Sequence, residues 1–295
     1  MSGSAEPLVS FTIPAYNRPA LLRVALASIA AQRTAAAYEV IVCDDLGMEE
    51  TQAVVAEFPA ATFRYLRNPA TLGAVGNWNA CLRAARAPWV MVLHEDDMLY
   101  PDYLALALPR LVPGLAAVAT KTVQGEIPPP VPPASANPEV WAYPARYFMK
   151  SAMTPFPGVL IDRQLALRLG GFDPNWGPLA DYDFWYRLAC AGRVEVVREI
   201  GAFYRVSAGQ WTERAWVRML REGHLMRLRI ARDQYADTPR WGKWLARFFT
   251  LRNARSYAAR FPERPATLVR ALRFSRIPLS SLPSGWIWQI LKRSS

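Results

Sequence analysis

Histidine and cysteine are scarce: the 295-residue chain has two of the first and three of the second. Cys43, Cys81 and Cys190 are far apart and odd in number, giving neither a disulfide framework nor a Cys-x-x-Cys metal knuckle. With only His94 and His224, a His-rich zinc site is close to excluded. No apolar run approaches the roughly 18 residues that a membrane-spanning helix needs. The start Met1-Ser2-Gly3-Ser4-Ala5-Glu6 lacks the basic patch and apolar run of an export signal. Together these absences point to a reducing cytoplasm. Neither G-x-x-x-x-G-K-[ST] nor G-x-G-x-x-G occurs, which weakens kinase, ATPase and dinucleotide readings.

What is present is an ordinary globular balance of 52% hydrophobic and 20% charged residues. The charge is unevenly placed. Residues 1–200 carry 16 Lys/Arg against 19 Asp/Glu, whereas residues 201–295 carry 19 against 5. The net +11 therefore resides in the last third, a field that attracts phosphate-bearing partners.

Short β-rich runs alternate with helical periodicity through residue 125. Residues 8–13, 38–43, 63–67, 89–93 and 116–122 read as strands, and 20–31, 49–58 and 77–85 as helices, with a further helix starting at Pro101. This alternation predicts an α/β fold, a mostly parallel sheet covered by helices. Ile127-Pro128-Pro129-Pro130-Val131-Pro132-Pro133 reads as a stiff loop. Beyond it, residues 158–161, 194–197 and 202–206 read as strands and 181–191 as a helix. From about Thr212 the pattern turns helical, with one stripe of Trp216, Met219, Leu220, Gly223, Met226 and Ile230 and another of Trp241, Trp244, Leu245 and Phe248. The expected division is a domain over 1–211 and a basic, aromatic-rich helical tail over 212–295.

Two acidic clusters, Asp44-Asp45 and Glu95-Asp96-Asp97, follow expected strands. Ligands of open parallel sheets bind beyond the carboxyl ends of the strands. Adjacent carboxylates repel unless a cation neutralises them, and oxygen ligands of this kind suit Mg²⁺ or Mn²⁺. Such an ion commonly bridges carboxylates to phosphates, so a nucleotide diphosphate is the natural ligand. The plainer reading is that these acids are solvated loop residues.

Five stretches, in order, resemble glycosyltransferase family 2, the GT-A enzymes. They are Val9-Ser10-Phe11-Thr12-Ile13-Pro14-Ala15-Tyr16-Asn17-Arg18; Glu39-Val40-Ile41-Val42-Cys43-Asp44-Asp45; Asn68 with Leu72-Gly73-Ala74-Val75-Gly76-Asn77-Trp78-Asn79; the run from Trp89 to Asp97; and Gly170-Gly171-Phe172-Asp173 followed by Ala180-Asp181-Tyr182-Asp183. The resemblance covers roughly residues 8–210 and implies a GT-A, Rossmann-like fold with a C-terminal helical extension. It implies donor binding by Pro14, Ala15, Tyr16, Asn17, Arg18, Asp44, Asp45, Asn77 and Asp96, with the Tyr16 ring free to stack on a base and Asp44 accepting from a base N–H. It implies metal binding by Asp97 and Asp96, and a general base at Asp181, with Asp183 as the alternative.

The implied activity is inverting, metal-dependent transfer of a sugar from a nucleotide-diphosphate donor, a UDP-sugar in the usual case. The acceptor would be a hydroxyl of a cell-envelope glycan or lipid-linked precursor. Three departures from the family pattern stand out: His94 opens the metal motif in place of an aspartate, Ala180 replaces a glutamate, and Ser207 stands where relatives often carry histidine. The last two keep a non-catalytic binding or scaffold protein as an alternative. His94 itself reads as a strand-end spacer, His224 as a surface residue, and the cysteines as small core residues.

The tail mixes Arg214, Arg218, Arg221, Arg227, Arg229, Arg232, Arg247, Arg252, Arg255, Arg270 and Arg273 with aromatics, and ends in Trp286-Ile287-Trp288-Gln289-Ile290-Leu291-Lys292-Arg293. That composition suits an anionic lipid surface, making the protein peripheral on the inner face of a membrane. Alternatively the apolar stripes pack and the arginines are a solvated face. A nucleic-acid partner fits less well, since no recognised binding motif accompanies the arginines.

Overall fold

The computed structural model describes residues 6–131, 133–152, 155–207 and 211–260, with side chains in the last stretch from 215 to 256. The segment from Trp286 to Arg293, with Arg270 and Arg273, lies outside the described residues. Two compact units emerge, one of residues 1–144 with 152–207, the other of 145–151 with 208–295.

The first unit opens with β1 (Val9–Ala15), α1 (Pro19–Ala30), β2 (Tyr38–Asp44), α2 (Glu49–Ala56), β3 (Phe63–Arg67), α3 (Gly73–Ala84) and β4 (Trp89–Val92). It continues with β5 (Met98–Leu99), α4 (Tyr103–Ala107), β6 (Leu115–Gly125), β7 (Val140–Ala142), β8 (Val159–Asp162), α5 (Arg163–Arg168), α6 (Ala180–Ala191) and β9 (Arg193–Arg205). The sheet order is β3-β2-β1-β4-β8-β6-β9-β5, with β7 on β9. The four strands from β3 to β4 run parallel, as do β6 and β9, while β8 is antiparallel to β4 and β6. The expected mostly parallel α/β sheet is what forms.

The local reasons are plain in the sequence. Pro19 starts α1 where its missing N–H costs nothing, and Leu22, Ala25, Leu26 and Ile29 share the buried face. β1 is central, so Phe11 and Ile13 are buried on one face and Ser10 and Thr12 on the other. The two buried hydroxyls are satisfied: Ser10 Oγ donates to Glu39 and Thr12 Oγ1 to the Met91 carbonyl.

One correction concerns β9, which the sequence divides in two. The structure joins residues 193–205 in one strand, with its register against β6 shifted around Thr120–Thr122. Gly201 interrupts the apolar pattern because a Cβ there would lie 2.5 Å from Thr120 Oγ1. The cysteine expectation also needs amendment: Cys43 and Cys81 are buried, but Cys190 is exposed.

The second unit contains α7 (Trp211–Gln234) and α8 (Pro239–Arg260). The α7 stripe packs inward, with Trp216, Leu220, Met226 and Ile230 buried. His224 is not a surface residue: it is buried, with Nδ1 3.0 Å from Thr250 Oγ1. Arg227 is buried as well, donating to the carbonyls of Met149 and Gly223.

The α8 face is inverted relative to the apolar pattern. Gly242, Ala246, Thr250 and Ala254 are buried, and a Cβ on Gly242 would sit 3.2 Å from the Ala231 carbonyl of α7. Small residues let the two helix backbones approach. The large rings therefore point outward: Trp241, Trp244 and Phe248 are about half exposed and stack face to face at 4.7 and 5.3 Å.

Candidate active site

The loop after β1 holds Pro14 and Ala15 at the strand's end, then Tyr16, Asn17 and Arg18 leading into α1. Asn17 takes a left-handed conformation (φ 58°), which asparagine tolerates better than most residues. Two acids from the 94–97 segment fasten this loop. Glu95 Oε2 accepts the Tyr16 N–H at 2.9 Å, and Asp96 Oδ2 pairs with Arg18 Nη1 at 2.6 Å. The Tyr16 ring is half exposed, open to a stacking partner.

Asp44 and Asp45 are buried caps. Asp44 Oδ1 accepts from the N–H groups of Leu46 and Gly47, and Oδ2 from Met48 N and Tyr65 Oη. Those four donors fill the usual acceptor sites of a carboxylate, so a base N–H would have to exchange with one of them. Asp45 reaches across to the start of α3, accepting from Leu72 N, Gly73 N and Asn68 Nδ2. It satisfies backbone donors that no side chain of α3 itself caps. Asn77 lies beneath the site, its Oδ1 accepting from Asn68 Nδ2 and its Nδ2 donating to the Cys43 carbonyl.

The turn after β4 buries two acids, Glu95 and Asp97. Asp97 is 2% exposed, and its Oδ1 accepts the Arg205 N–H at 3.0 Å. Its Oδ2 is buried with no hydrogen-bond partner. Burial, with Asp96 nearby, pushes the Asp97 carboxyl well above the ordinary aspartate range. Burial likewise raises Glu95 to about 7, with Asp96 and Asp44 adding to it. Ligand atoms of His94, Asp96 and Asp97 all lie within 4.8 Å of one another. Asp97's unpartnered oxygen and this donor set fit a divalent cation.

Arg205 closes the turn from β9, donating from Nε to the Asp96 carbonyl and from Nη1 to that of Glu126. The late segment containing Ser207 thus reaches the metal motif through Arg205.

Asp181 and Asp183 both fall in the first turn of α6, whose cap position is Leu179. They differ in what they touch. Asp183 is 1% exposed and pairs with Arg187 Nε at 2.7 Å, while Arg187 also donates to the carbonyls of Leu169 and Gly171. Asp181 accepts the Tyr182 N–H, and burial raises its carboxyl to about 6. Asp181 shares its helix face with Trp185, one turn on. Trp185 packs on Phe156, and Phe156 lies 4.2 Å from the His94 ring, so a chain of aromatic contacts links α6 to the metal motif. Asn79 completes the support, bonding both backbone groups of Phe172.

The structure therefore gathers the 14–18 loop, Asp44, Asp45, Asp96 and Asp97 at the carboxyl ends of β1, β2 and β4. Sequence reasoning placed Glu95 in the acidic cluster but not its bond to the Tyr16 N–H, and it missed Arg205, whose backbone N–H meets the Asp97 carboxylate. It also missed that His94 faces Asp97.

Residues 10–155 match the family model described as Glycosyl transferase family 2. An uncharacterized protein of Mycobacterium tuberculosis is 30% identical over 200 residues, 62% of each chain. The chain thus spans about 62% of the length of the first curated relatives it matches. The Escherichia coli UDP-Glc:alpha-D-GlcNAc-diphosphoundecaprenol beta-1,3-glucosyltransferase WfgD is 30% identical over 105 residues, 36% of this chain and 41% of that one. Among solved structures, Staphylococcus aureus TarS in complex with UDP-GlcNAc superposes with a TM-score of 0.64 at 17% identity, covering 90% of this chain and 80% of the other. Mannosyltransferase PcManGT of Pyrobaculum calidifontis, in complex with GDP-Man and Mn²⁺, gives 0.61 at 18%, covering 92% and 88%. Those two likenesses speak to the fold, which is that of GT-A enzymes. With the family model falling on the strands and turns that assemble the acidic crevice, residues 10–155 form a domain of glycosyltransferase family 2.

Proposed function

We propose that the chain transfers a sugar, with inversion, from a nucleotide-diphosphate donor to an acceptor hydroxyl. The observation that carries this reading is the buried, unpartnered Asp97 Oδ2 among the strand-end acids of a GT-A sheet. Asp97 and Asp96 would hold a Mg²⁺ or Mn²⁺ ion, which when bound offsets the negative charge developing on the leaving diphosphate. The base would lie at the mouth of the 14–18 loop, against the Tyr16 ring. Asp181 would take the acceptor proton as the acceptor oxygen bonds to the anomeric carbon. The bond from that carbon to the diphosphate oxygen breaks, and its electron pair leaves with the phosphate. A carboxyl raised to about 6 is mostly ionised at pH 7 yet basic enough to accept the proton. A single base acting without a covalent nucleophile would give inversion.

The donor assignment to a UDP-sugar draws support from the UDP-linked names of WfgD and the TarS complex. WfgD's polyprenol-linked acceptor supports a lipid-linked precursor here. Among the described residues no helix is long and apolar enough to cross a membrane. We assign the donor and acceptor groups to residues 1–211. The tail, 212–295, we assign to a peripheral contact with an anionic lipid surface, where the exposed α8 rings would rest at headgroup level.

The test is release of nucleoside diphosphate from a panel of UDP- and GDP-sugars. The expected result is slow release that requires Mn²⁺ or Mg²⁺ and quickens with a polyprenol-diphosphate acceptor. Donor binding without release under any of these conditions would support the non-catalytic alternative.

A further inference from the structure

His94 occupies the first position of the metal motif, and its surroundings are not those of a spacer. Its ring stacks on Trp78 at 5.3 Å, tilted by 26°, and lies 4.2 Å from Phe156. Two rings thus fix the plane of the imidazole. The Nδ1 atom stands 3.9 Å from Asp97 Oδ2. This separation is too long for a hydrogen bond. Asp97 Oδ2 has no hydrogen-bond partner. A buried carboxylate oxygen is therefore left unmatched beside an imidazole nitrogen that stops short of it. A protein does not ordinarily leave such an oxygen unmatched. One metal ion bonds nitrogen and carboxylate oxygen at about 2.0–2.2 Å each. An ion seated between Nδ1 and Oδ2 would give the orphaned oxygen the partner it lacks.

We propose that His94 supplies a nitrogen ligand, through Nδ1, to the divalent ion held by Asp97 and Asp96, and so biases this site toward a first-row transition ion over Mg²⁺. The proposal rests on the reading of Asp97 as a metal ligand. Mg²⁺ takes oxygen ligands and keeps several waters, so an imidazole adds little for it. A transition ion such as Mn²⁺ or Co²⁺ gains from nitrogen. A ligating histidine ordinarily has its other N–H fixed by a carboxylate, carbonyl or water. Here the Trp78 and Phe156 rings orient the imidazole instead.

Pulsed electron paramagnetic resonance of Mn²⁺ bound to the full chain with UDP reads this directly. The expected spectrum carries ¹⁴N modulation from a coordinated imidazole, replaced by ¹⁵N lines when the protein is grown with ¹⁵N-histidine. No substitution is needed, so folding does not confound the result. With two histidines in the chain, His94→Asp assigns the signal. That variant is expected to lose the nitrogen lines, keep a bound ion, and lower the Mn²⁺-over-Mg²⁺ preference about tenfold. Bound Mn²⁺ without histidine nitrogen, in a form that Asp97→Asn abolishes, overturns the His94 ligand and leaves the Asp97 reading standing. No bound Mn²⁺ in any form overturns both.

Discussion

Asp181 and Asp183 sit two positions apart on one helical turn, yet their environments assign them different work. Asp181→Asn is expected to lower kcat by about 10²–10⁴ while nucleotide affinity stays within twofold. The wild-type rate should rise with pH through about 6, as the carboxyl ionises, and then level off. Stability gives an independent sign. A carboxyl whose folded pKa lies above its unfolded value binds more protons when folded, so stability falls as pH rises from about 4 to 6. Asp181→Asn should then be more stable than wild type at pH 7, by about 1–3 kcal/mol, and no more stable below pH 4. Asp183→Ala should do the reverse, removing a buried carboxylate and leaving the half-buried Arg187 short of its charge partner, at a cost of about 3 kcal/mol in a denaturant melt. An unchanged melt with abolished turnover in Asp183→Ala would exchange the two roles.

The acids themselves were legible in the sequence because strand-end carboxylates in pairs are chemically conspicuous. Their partners were not. Asp45 caps α3 through the N–H groups of Leu72 and Gly73, residues whose side chains carry no sign of it. Orphaned atoms such as Asp97 Oδ2 are properties of packing and leave no mark in a residue pattern.

At the scale of elements, alternation of apolar runs was enough to find the parallel β1–β4 layer, since each buried strand is marked on both faces. In α8 it left the inward face open, for a physical reason. Periodicity tells which residues share a face but not which face is turned inward. The small stripe of Gly242, Ala246, Thr250 and Ala254 packs because it lets α7 approach, and the rings are left outside. Arg240, Lys243 and Arg247 lie along the same helix. Rings with cations beside them favour an anionic headgroup layer. The full chain should therefore cosediment with phosphatidylcholine vesicles containing phosphatidylglycerol, less so as salt rises. The triple variant Trp241→Gln, Trp244→Gln, Phe248→Gln should weaken this about tenfold with little change in melting, because the positions are exposed. Undiminished cosedimentation would remove α8 from the contact.

At the scale of the whole molecule, the functional case depends on distant segments meeting. The 14–18 loop, the end of β2, the turn after β4 and the end of β9 are separated by tens of residues, and the sheet order brings them to one edge. Their ordered spacing made the GT-A fold legible. The bonds from Glu95 to Tyr16 and from Asp97 to Arg205 lock the crevice together. The most direct test is calorimetric titration of UDP into the full chain, with Mn²⁺ or with chelator, for wild type and Asp97→Asn. The account predicts binding that depends on the metal in wild type and weakens at least tenfold in the variant. Equal affinity with and without metal, unaltered in Asp97→Asn, would contradict it.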